Sequence, residues 1–513
     1  MGRFNMAEDT SITNYMGGKA FVQSPEEELA FAGLTTFVDD SYYEKKDERL
    51  TRIKELVATV DPTFVAKLAV YVRIRHNMRS ASHVLLGELS RVHRGDSLVA
   101  DAIYAATTRV DDLTELVAYL GKPIPNGVKK GIAVALTKFD SYQLGKYRAE
   151  GKQFSLVDVF NLIHPIPPLH LRDTWEGLVD GKLTQTGVTW EARLSAGEEP
   201  RVVWRELLEQ DKLGYMALLR NLRNIAKTND LELVRLATDR IADRGRVLSS
   251  KQLPFRFLSA YQALDSQSRD RPDGGGVVFE KDQDIRNVLI AALNKAIEYS
   301  IENIPVFGGR TLILSDNSGS MCGDGGGASL LSARSRRTTA DIANLFAVLY
   351  WTRMANTSIG LFGDKLIRPT LNRNQSVFEN FNLIHKEAEQ CGLGTETGIF
   401  LAIDALLTQK SKVDRIVIFS DQQVGAGCGW FDTTRKLKGN DFNSLIQRYI
   451  SLFPDVVVYS IDLKGYGNKL FSHNIKLLSG WSDKIFEIMQ LMETDPKALI
   501  NDINRVELLP PPK

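Results

Sequence analysis

The stretch Thr311-Leu312-Ile313-Leu314-Ser315-Asp316-Asn317-Ser318-Gly319-Ser320 decides how this chain folds. Its first half is a short aliphatic and β-branched run, the pattern of a buried strand. Its second half is a loop presenting one carboxylate, Asp316, and two hydroxyls, Ser318 and Ser320, at a single point. Hard oxygen donors clustered in this way suit a small hard cation, Mg²⁺ or Mn²⁺, that keeps several of its waters. Further along, the glycine-rich turn Gly392-Leu393-Gly394-Thr395-Glu396-Thr397-Gly398 offers the hydroxyl of Thr395. A second apolar run, Arg415-Ile416-Val417-Ile418-Phe419-Ser420, ends in Asp421.

Oxygen clusters at the ends of two apolar strands and in a glycine-rich turn are what the carboxyl edge of an open parallel sheet provides. In this order, Asp-x-Ser-x-Ser, Gly-Thr-x-Thr and strand-Ser-Asp resemble the von Willebrand factor A domain with its metal-ion-dependent adhesion site. The matching positions are Asp316, Ser318, Ser320, Thr395 and Asp421. The loop Gly323-Asp324-Gly325-Gly326-Gly327 lacks the Gly-Lys-Ser/Thr ending of a phosphate cradle, which argues against nucleotide binding.

Working outward, residues 303–513 alternate strand and helix patterns, which predicts a doubly wound α/β domain with a mostly parallel sheet. Residues 1–302 read instead as helix after helix. Ser24-Pro25-Glu26-Glu27 and Asp61-Pro62 are helix starts, with a capping side chain followed by proline. Helical spacing continues over 98–120, 128–147, 155–164, 215–225, 231–242, 254–264 and 285–301. Many short helices without a long heptad seam predict stacked hairpins of the HEAT kind. The expected fold class is mainly α with an α/β domain.

The chain has 513 residues, 25% of them charged, and a net charge of +1. Affinity for a polyanion must therefore come from local patches. The cysteines Cys322, Cys391 and Cys428 have no zinc spacing and leave one unpaired, as expected in a reducing compartment. No export signal or run of 18 apolar residues is found, so a cytoplasmic, membrane-free protein is expected.

Positive charge is concentrated in the helical half. Lys122, Lys129, Lys130, Lys138, Lys146, Arg148 and Lys152 face only Asp140 and Glu150 between positions 122 and 152. Arg73, Arg75, His76 and Arg79 form a second cluster, with no acid until Glu88. On a helix, Arg220, Arg223, Asn224 and Lys227 share one face, while Leu218, Leu222 and Ile225 share another. Three such patches in a neutral array point to phosphate neutralisation. His164 is expected to end its helix because Pro165 disfavours helical backbone before it, leaving the ring able to donate to phosphate.

Phe37-Val38-Asp39-Asp40-Ser41-Tyr42-Tyr43, Arg79-Ser80-Ala81-Ser82-His83-Val84-Leu85, Arg109-Val110-Asp111-Asp112-Leu113 and Ala217-Leu218-Leu219-Arg220-Asn221-Leu222-Arg223-Asn224 resemble the TROVE module. With the downstream metal motif, nearly the whole chain resembles the Ro autoantigen family and its bacterial orthologues. The resemblance implies a ring of HEAT-like repeats closed by the von Willebrand A domain. It implies a monomeric protein in a ribonucleoprotein, with small noncoding Y RNA outside the ring and single-stranded 3′ ends of misfolded or structured RNAs in the hole. It also implies RNA quality control, ribosomal RNA maturation, stress survival, and exoribonuclease partners such as polynucleotide phosphorylase. Lys146-Tyr147-Arg148 and His164 match the family's Y RNA surface, with a segment one residue longer between them. Lys129 and Lys130 fit the same surface, and Arg220 and Arg223 fit the cavity.

The leading reading is thus a non-enzymatic RNA-binding scaffold. A metal-dependent protein–protein adaptor without RNA is the alternative. A metal-dependent hydrolase using Asp316 as nucleophile is disfavoured, because no histidine adjoins the metal motifs.

Overall fold

The computed structural model describes residues 11–13, 19–22, 24–35, 48–147, 153–183, 190–252, 254–264, 283–323, 337–393, 397–424, 442–464, 468–469, 475–480, 484–493, 495 and 497–508. Two short strands come first, β1 (Ser11–Thr13) and β2 (Lys19–Val22). Then helices follow one another: α1 (Pro25–Thr35), α2 (Glu48–Val57), α3 (Pro62–Ile74), α4 (Arg79–Val92), α5 (Leu98–Ala106), α6 (Val110–Leu120), α7 (Asn126–Ala135), α8 (Ser141–Lys146) and α9 (Leu156–Ile163). The array continues with α10 (Arg172–Val179), α11 (Trp190–Ser195), α12 (Pro200–Glu209), α13 (Tyr215–Ala226), α14 (Leu231–Ile241), α15 (Arg244–Ser250), α16 (Pro254–Leu264) and α17 (Gln283–Ile301).

Capping explains why this half is many short helices. The pattern over 98–120 predicts one helix but divides into α5 and α6, because the Asp112 carboxylate accepts from the backbone N–H groups of Thr108 (3.1 Å) and Arg109 (3.0 Å) and starts a new helix there. The pattern over 128–147 likewise breaks into α7, a 3₁₀ turn at Leu136–Lys138, and α8, which is capped by Asp140. Helices α5 and α7 pack closely: a Cβ on Gly131 would lie 2.9 Å from Ile103 Cβ and 3.0 Å from Ala100 Cα.

Beyond residue 310 the chain alternates as predicted: β3 (Thr311–Asp316), α18 (Gly319–Cys322), α19 (Thr339–Arg353), β4 (Thr357–Phe362), β5 (Leu366–Ile367), α20 (Val377–Ala388), α21 (Thr397–Thr408), β6 (Arg415–Ser420), α22 (Phe442–Leu452), β7 (Val457–Asp462), β8 (Asn468–Lys469), β9 (Ile475–Ser479), α23 (Lys484–Met492) and α24 (Ala498–Asn504). The sheet order is β5-β4-β3-β6-β7-β9, parallel except for the β4–β5 pair. Alternating strand residues feed opposite faces. Ile313, Val417, Phe419 and Tyr459 join a core shared with α19, α23 and the helical half, whereas Leu314, Ile416, Ile418 and Val458 pack with α21 and α22.

The α/β part touches both ends of the helical array. At one end, the Tyr261 ring of α16 stacks on Phe378 of α20 (4.4 Å between centroids), and Asn382 Nδ2 donates to Tyr261 Oη (3.0 Å). At the other, β2 pairs antiparallel with β8, Phe21 opposite Lys469. There Ser479 Oγ of β9 also donates to Phe31 O of α1 (3.2 Å), and Arg75 lies 3.7 Å from Asp502 of α24. These two seams close the molecule into a ring. Among the described residues, no helix is long and apolar enough to cross a membrane.

Candidate metal edge and nucleic-acid interface

The register Ser315–Phe419 between β3 and β6 places Asp316 beside Ser420 at the carboxyl edge of the sheet. Asp316 is fully buried; its Oδ1 accepts from Ser318 N (2.9 Å) and its Oδ2 from Ser420 Oγ (2.7 Å). Ser318 Oγ and Ser320 Oγ stand 3.2 Å apart. Asp421 Oδ1 accepts from Gln423 N (3.1 Å), while its buried Oδ2 has no hydrogen-bond partner. Burial, and then the neighbouring charge of Asp421, push the Asp316 carboxyl up to about 7. Burial also raises Asp421, opposed by a hydrogen bond from Ser320 and by the charge of Lys464. Two buried carboxyls held above their usual range, an orphaned carboxylate oxygen and a pair of hydroxyls fit a hard divalent cation. No three His, Cys, Asp or Glu side chains converge on a metal position among the described residues, so the donors would be two carboxylates and hydroxyls. Thr395 lies outside the described residues.

The loop after β3 is fixed by groups that the motif does not advertise. Ser315 Oγ donates to Asn344 Oδ1 (2.7 Å), and Asn344 Nδ2 donates to Asn317 Oδ1 (2.8 Å). Asn317 Nδ2 donates to Ser315 O (3.0 Å). Gly319 N donates to Leu393 O (3.1 Å), and a Cβ at Gly319 would sit 2.7 Å from that oxygen, so only glycine fits.

The raised Asp316 carboxyl has a pH consequence. The folded state holds a proton that the unfolded chain releases near the ordinary value of 3.8, so this contribution is full in acid and lost as pH rises through about 7. In EDTA, melting should therefore be lower at pH 8 than at pH 5.5, and Asp316→Asn should flatten that slope. Thermal melts across pH check both.

The basic clusters divide sharply. The expectation that Arg73, Arg75, His76 and Arg79 form a free patch fails. Arg73 is buried and lies 3.1 Å from Asp112, and His76 is buried. Arg79 meets Asp111 (3.0 Å), Asp112 (2.9 Å) and Glu115 (3.0 Å). The acids come from α6, some thirty residues onward in sequence, and neutralise the cluster. Arg75 is half exposed but belongs to the seam with Asp502.

In the second cluster, Lys130 is exposed and Lys129 partly so, both on α7. Lys138 is used internally, donating to the carbonyls of Tyr104 and Thr107 that end α5. The Tyr147 hydroxyl accepts from Arg109 (2.9 Å), whose guanidinium also covers its ring. Arg148 lies outside the described residues, as does the Lys146 side chain. His164 is exposed and caps α9 in the left-handed conformation (φ 51°), so helical backbone stops at Ile163, one residue before the expected end. α7 and α9 pack on each other, which sets these features on adjacent helices.

The third cluster lies on α13. Arg220, Asn224 and Lys227 are exposed and Arg223 half-buried, while Leu218, Leu222 and Ile225 are buried. Sequence reading missed Arg256 on α16, an isolated charge among apolar neighbours. The residue is exposed, yet surrounding protein desolvates its guanidinium, which also feels the charge of Arg220. It packs 5.1 Å from the Phe255 ring. Several arginines nearby are spent instead: Arg205 on Asp230 (3.0 Å), Arg240 and Arg246 on Asp211, Arg244 on Glu302. Among the described residues, no carboxylate lies in ion-pair range of Arg220, Arg223, Lys227 or Arg256.

The TROVE domain family matches residues 170–274. Telomerase protein component 1 of Rattus norvegicus is 37% identical over 99 residues, 19% of this chain, and that of Mus musculus 36% over 99 residues. These matches span 4% of the length of each of these relatives. In three dimensions, the crystal structure of the Deinococcus radiodurans Ro (RSR) protein matches with a TM-score of 0.58 over 93% of this chain and 100% of that one, at 15% identity.

Proposed function

From a chain that carries a TROVE-domain segment on the fold of a Ro protein, bearing out the resemblance to the Ro family, we propose an RNA-binding scaffold. One observation supports this reading: in a chain of net charge +1, cations on α7, α13 and α16 reach solvent with no carboxylate in ion-pair range among the described residues. Such groups neutralise phosphates and release counterions.

A small structured RNA of the Y type would lie on the outer surface made by Lys129, Lys130, Lys146, Tyr147, Arg148 and His164. Single-stranded ends would enter the ring past Arg220, Arg223 and Arg256, held by backbone charge and stacking with weak sequence preference. The helical module of residues 1–302 would hold the RNA. The α/β module of residues 303–513 would close the ring and bind Mg²⁺ or Mn²⁺ through Asp316, Ser318, Ser320, Thr395 and Asp421. When bound, the ion would supply an open coordination position for a carboxylate from a partner protein. Roles in RNA quality control, ribosomal RNA maturation and stress survival, with an exoribonuclease partner, follow from the family resemblance. No reaction is assigned to the chain.

Sequencing RNA that copurifies with the full chain tests this reading. A discrete small RNA is expected, with log affinity falling linearly in log salt concentration. Protein free of nucleic acid favours the adaptor reading, for which Leu393, exposed beside the metal edge, is the supporting feature. Labelled RNA incubated with protein and Mg²⁺ should stay intact. Cleavage that disappears in Asp316→Ala would establish an enzyme instead.

A further inference from the structure

We propose that Lys464 is a built-in counter-cation of the metal edge, holding the edge together without an ion and weakening the grip on a divalent one. This rests on the metal reading given above. Lys464 follows β7 and is only 2% exposed, an environment that an ammonium tolerates only beside negative charge. Its Nζ donates to Ser320 O (2.5 Å), inside the loop that carries both motif hydroxyls. Its charge acts on the Asp421 carboxylate, and its backbone N–H donates to Asp462 Oδ1 (2.8 Å). Asp462 is buried and pairs in register with Ser420 on β6.

Charge balance follows from these positions. With an ion bound, Asp316, Asp421 and Asp462 would bring three negative charges to the edge and Lys464 one positive charge, whereas without one burial favours the protonated form of Asp316. The remainder matches a divalent cation. Before an ion arrives, the ammonium is a cation whose charge acts on Asp421. Once an ion arrives, ammonium and ion repel each other in a dry, low-dielectric place where such repulsion is strong. Lys464 therefore trades affinity for a fold that does not depend on the ion.

The test uses the full chain and Mn²⁺ as probe, with Lys464→Met removing the charge while keeping an apolar stem. Isothermal titration should show Mn²⁺ binding roughly ten-fold tighter in the variant, the size of effect expected from removing one nearby like charge. Melting in EDTA should fall, and added Mn²⁺ should restore it. The double variant Asp421→Asn/Lys464→Met removes one charge of each sign and should melt in EDTA closer to the parent than Lys464→Met does. If Lys464→Met fails to fold, the double variant decides, and failure of both overturns the proposal. A parent that binds Mn²⁺ and a variant that binds no tighter overturns the proposal alone. If neither chain binds Mn²⁺, the metal reading falls and the proposal with it.

Discussion

Asp112→Ala is expected to destabilise the helical module by about 3–5 kcal/mol, the cost of removing one partner from a buried ionic network. Asp112 is 4% exposed and serves four groups at once. It caps α6 through the N–H groups of Thr108 and Arg109, and it sits between the guanidiniums of Arg73 (3.1 Å) and Arg79 (2.9 Å). Removing it strands the buried Arg73 charge and uncaps a helix. Burial alone would raise this carboxyl, but the His83 ring 3.6 Å away and the charges of Arg73 and Arg79 hold it far below the usual range. The linked stability is present above the unfolded value of 3.8 and is lost only as pH falls below it, towards the depressed folded value. At neutral pH the full penalty should appear. A large chain of this kind need not unfold in one step, so the midpoint of its first thermal transition is the quantity to measure. Asp112→Asn keeps one oxygen for the cap and should lose less. A first transition unchanged in Asp112→Ala would show that the network is dispensable.

The combined change Lys129→Ala, Lys130→Ala, His164→Ala should weaken binding of a stem-loop RNA by about 2–4 kcal/mol, roughly 30- to 1000-fold. The salt slope of binding should also become shallower by about one unit for each phosphate that is no longer neutralised. All three side chains reach solvent and none is part of the core, so melting should not move. Arg79→Ala gives the opposite signature. Its charge is already matched by Asp111, Asp112 and Glu115, so stability should fall while affinity stays. Fluorescence anisotropy at several salt concentrations, paired with melts, separates the two. Parent-like affinity in the combined variant would remove α7 and α9 from the RNA surface.

The contrast between these variants shows which parts of the molecule are legible in sequence. The run from Thr311 to Ser320 is readable because strand, carboxylate and hydroxyls are contiguous, so local chemistry and local structure coincide. The amphipathic split of α13 is readable for the same reason, since both of its faces are written within twelve residues. Arg79 misleads because its counter-charges lie on α6 and reach it only after α4 and α6 pack. The divisions at Thr107 and at Lys138 are hidden because apolar periodicity runs through them; the Asp112 and Asp140 caps that override it look like ordinary surface acids. Asn344, Arg256 and Lys464 carry no motif. Each matters only for what the tertiary fold brings to it: the loop after β3, the charge of Arg220, and the carbonyl of Ser320.

The seam joining β2 and α1 to β8 and β9 sets a schedule for synthesis. Phe31 O and Ser479 Oγ are 448 positions apart, so their bond waits for that length of chain to be made. At ordinary elongation rates that delay is on the order of a minute. During it, α1 is without the β9 side of the seam, where Leu34 finally lies against Gly480. Closing a circle across 448 positions thus leaves this side of α1 uncovered until the far half of the seam is made.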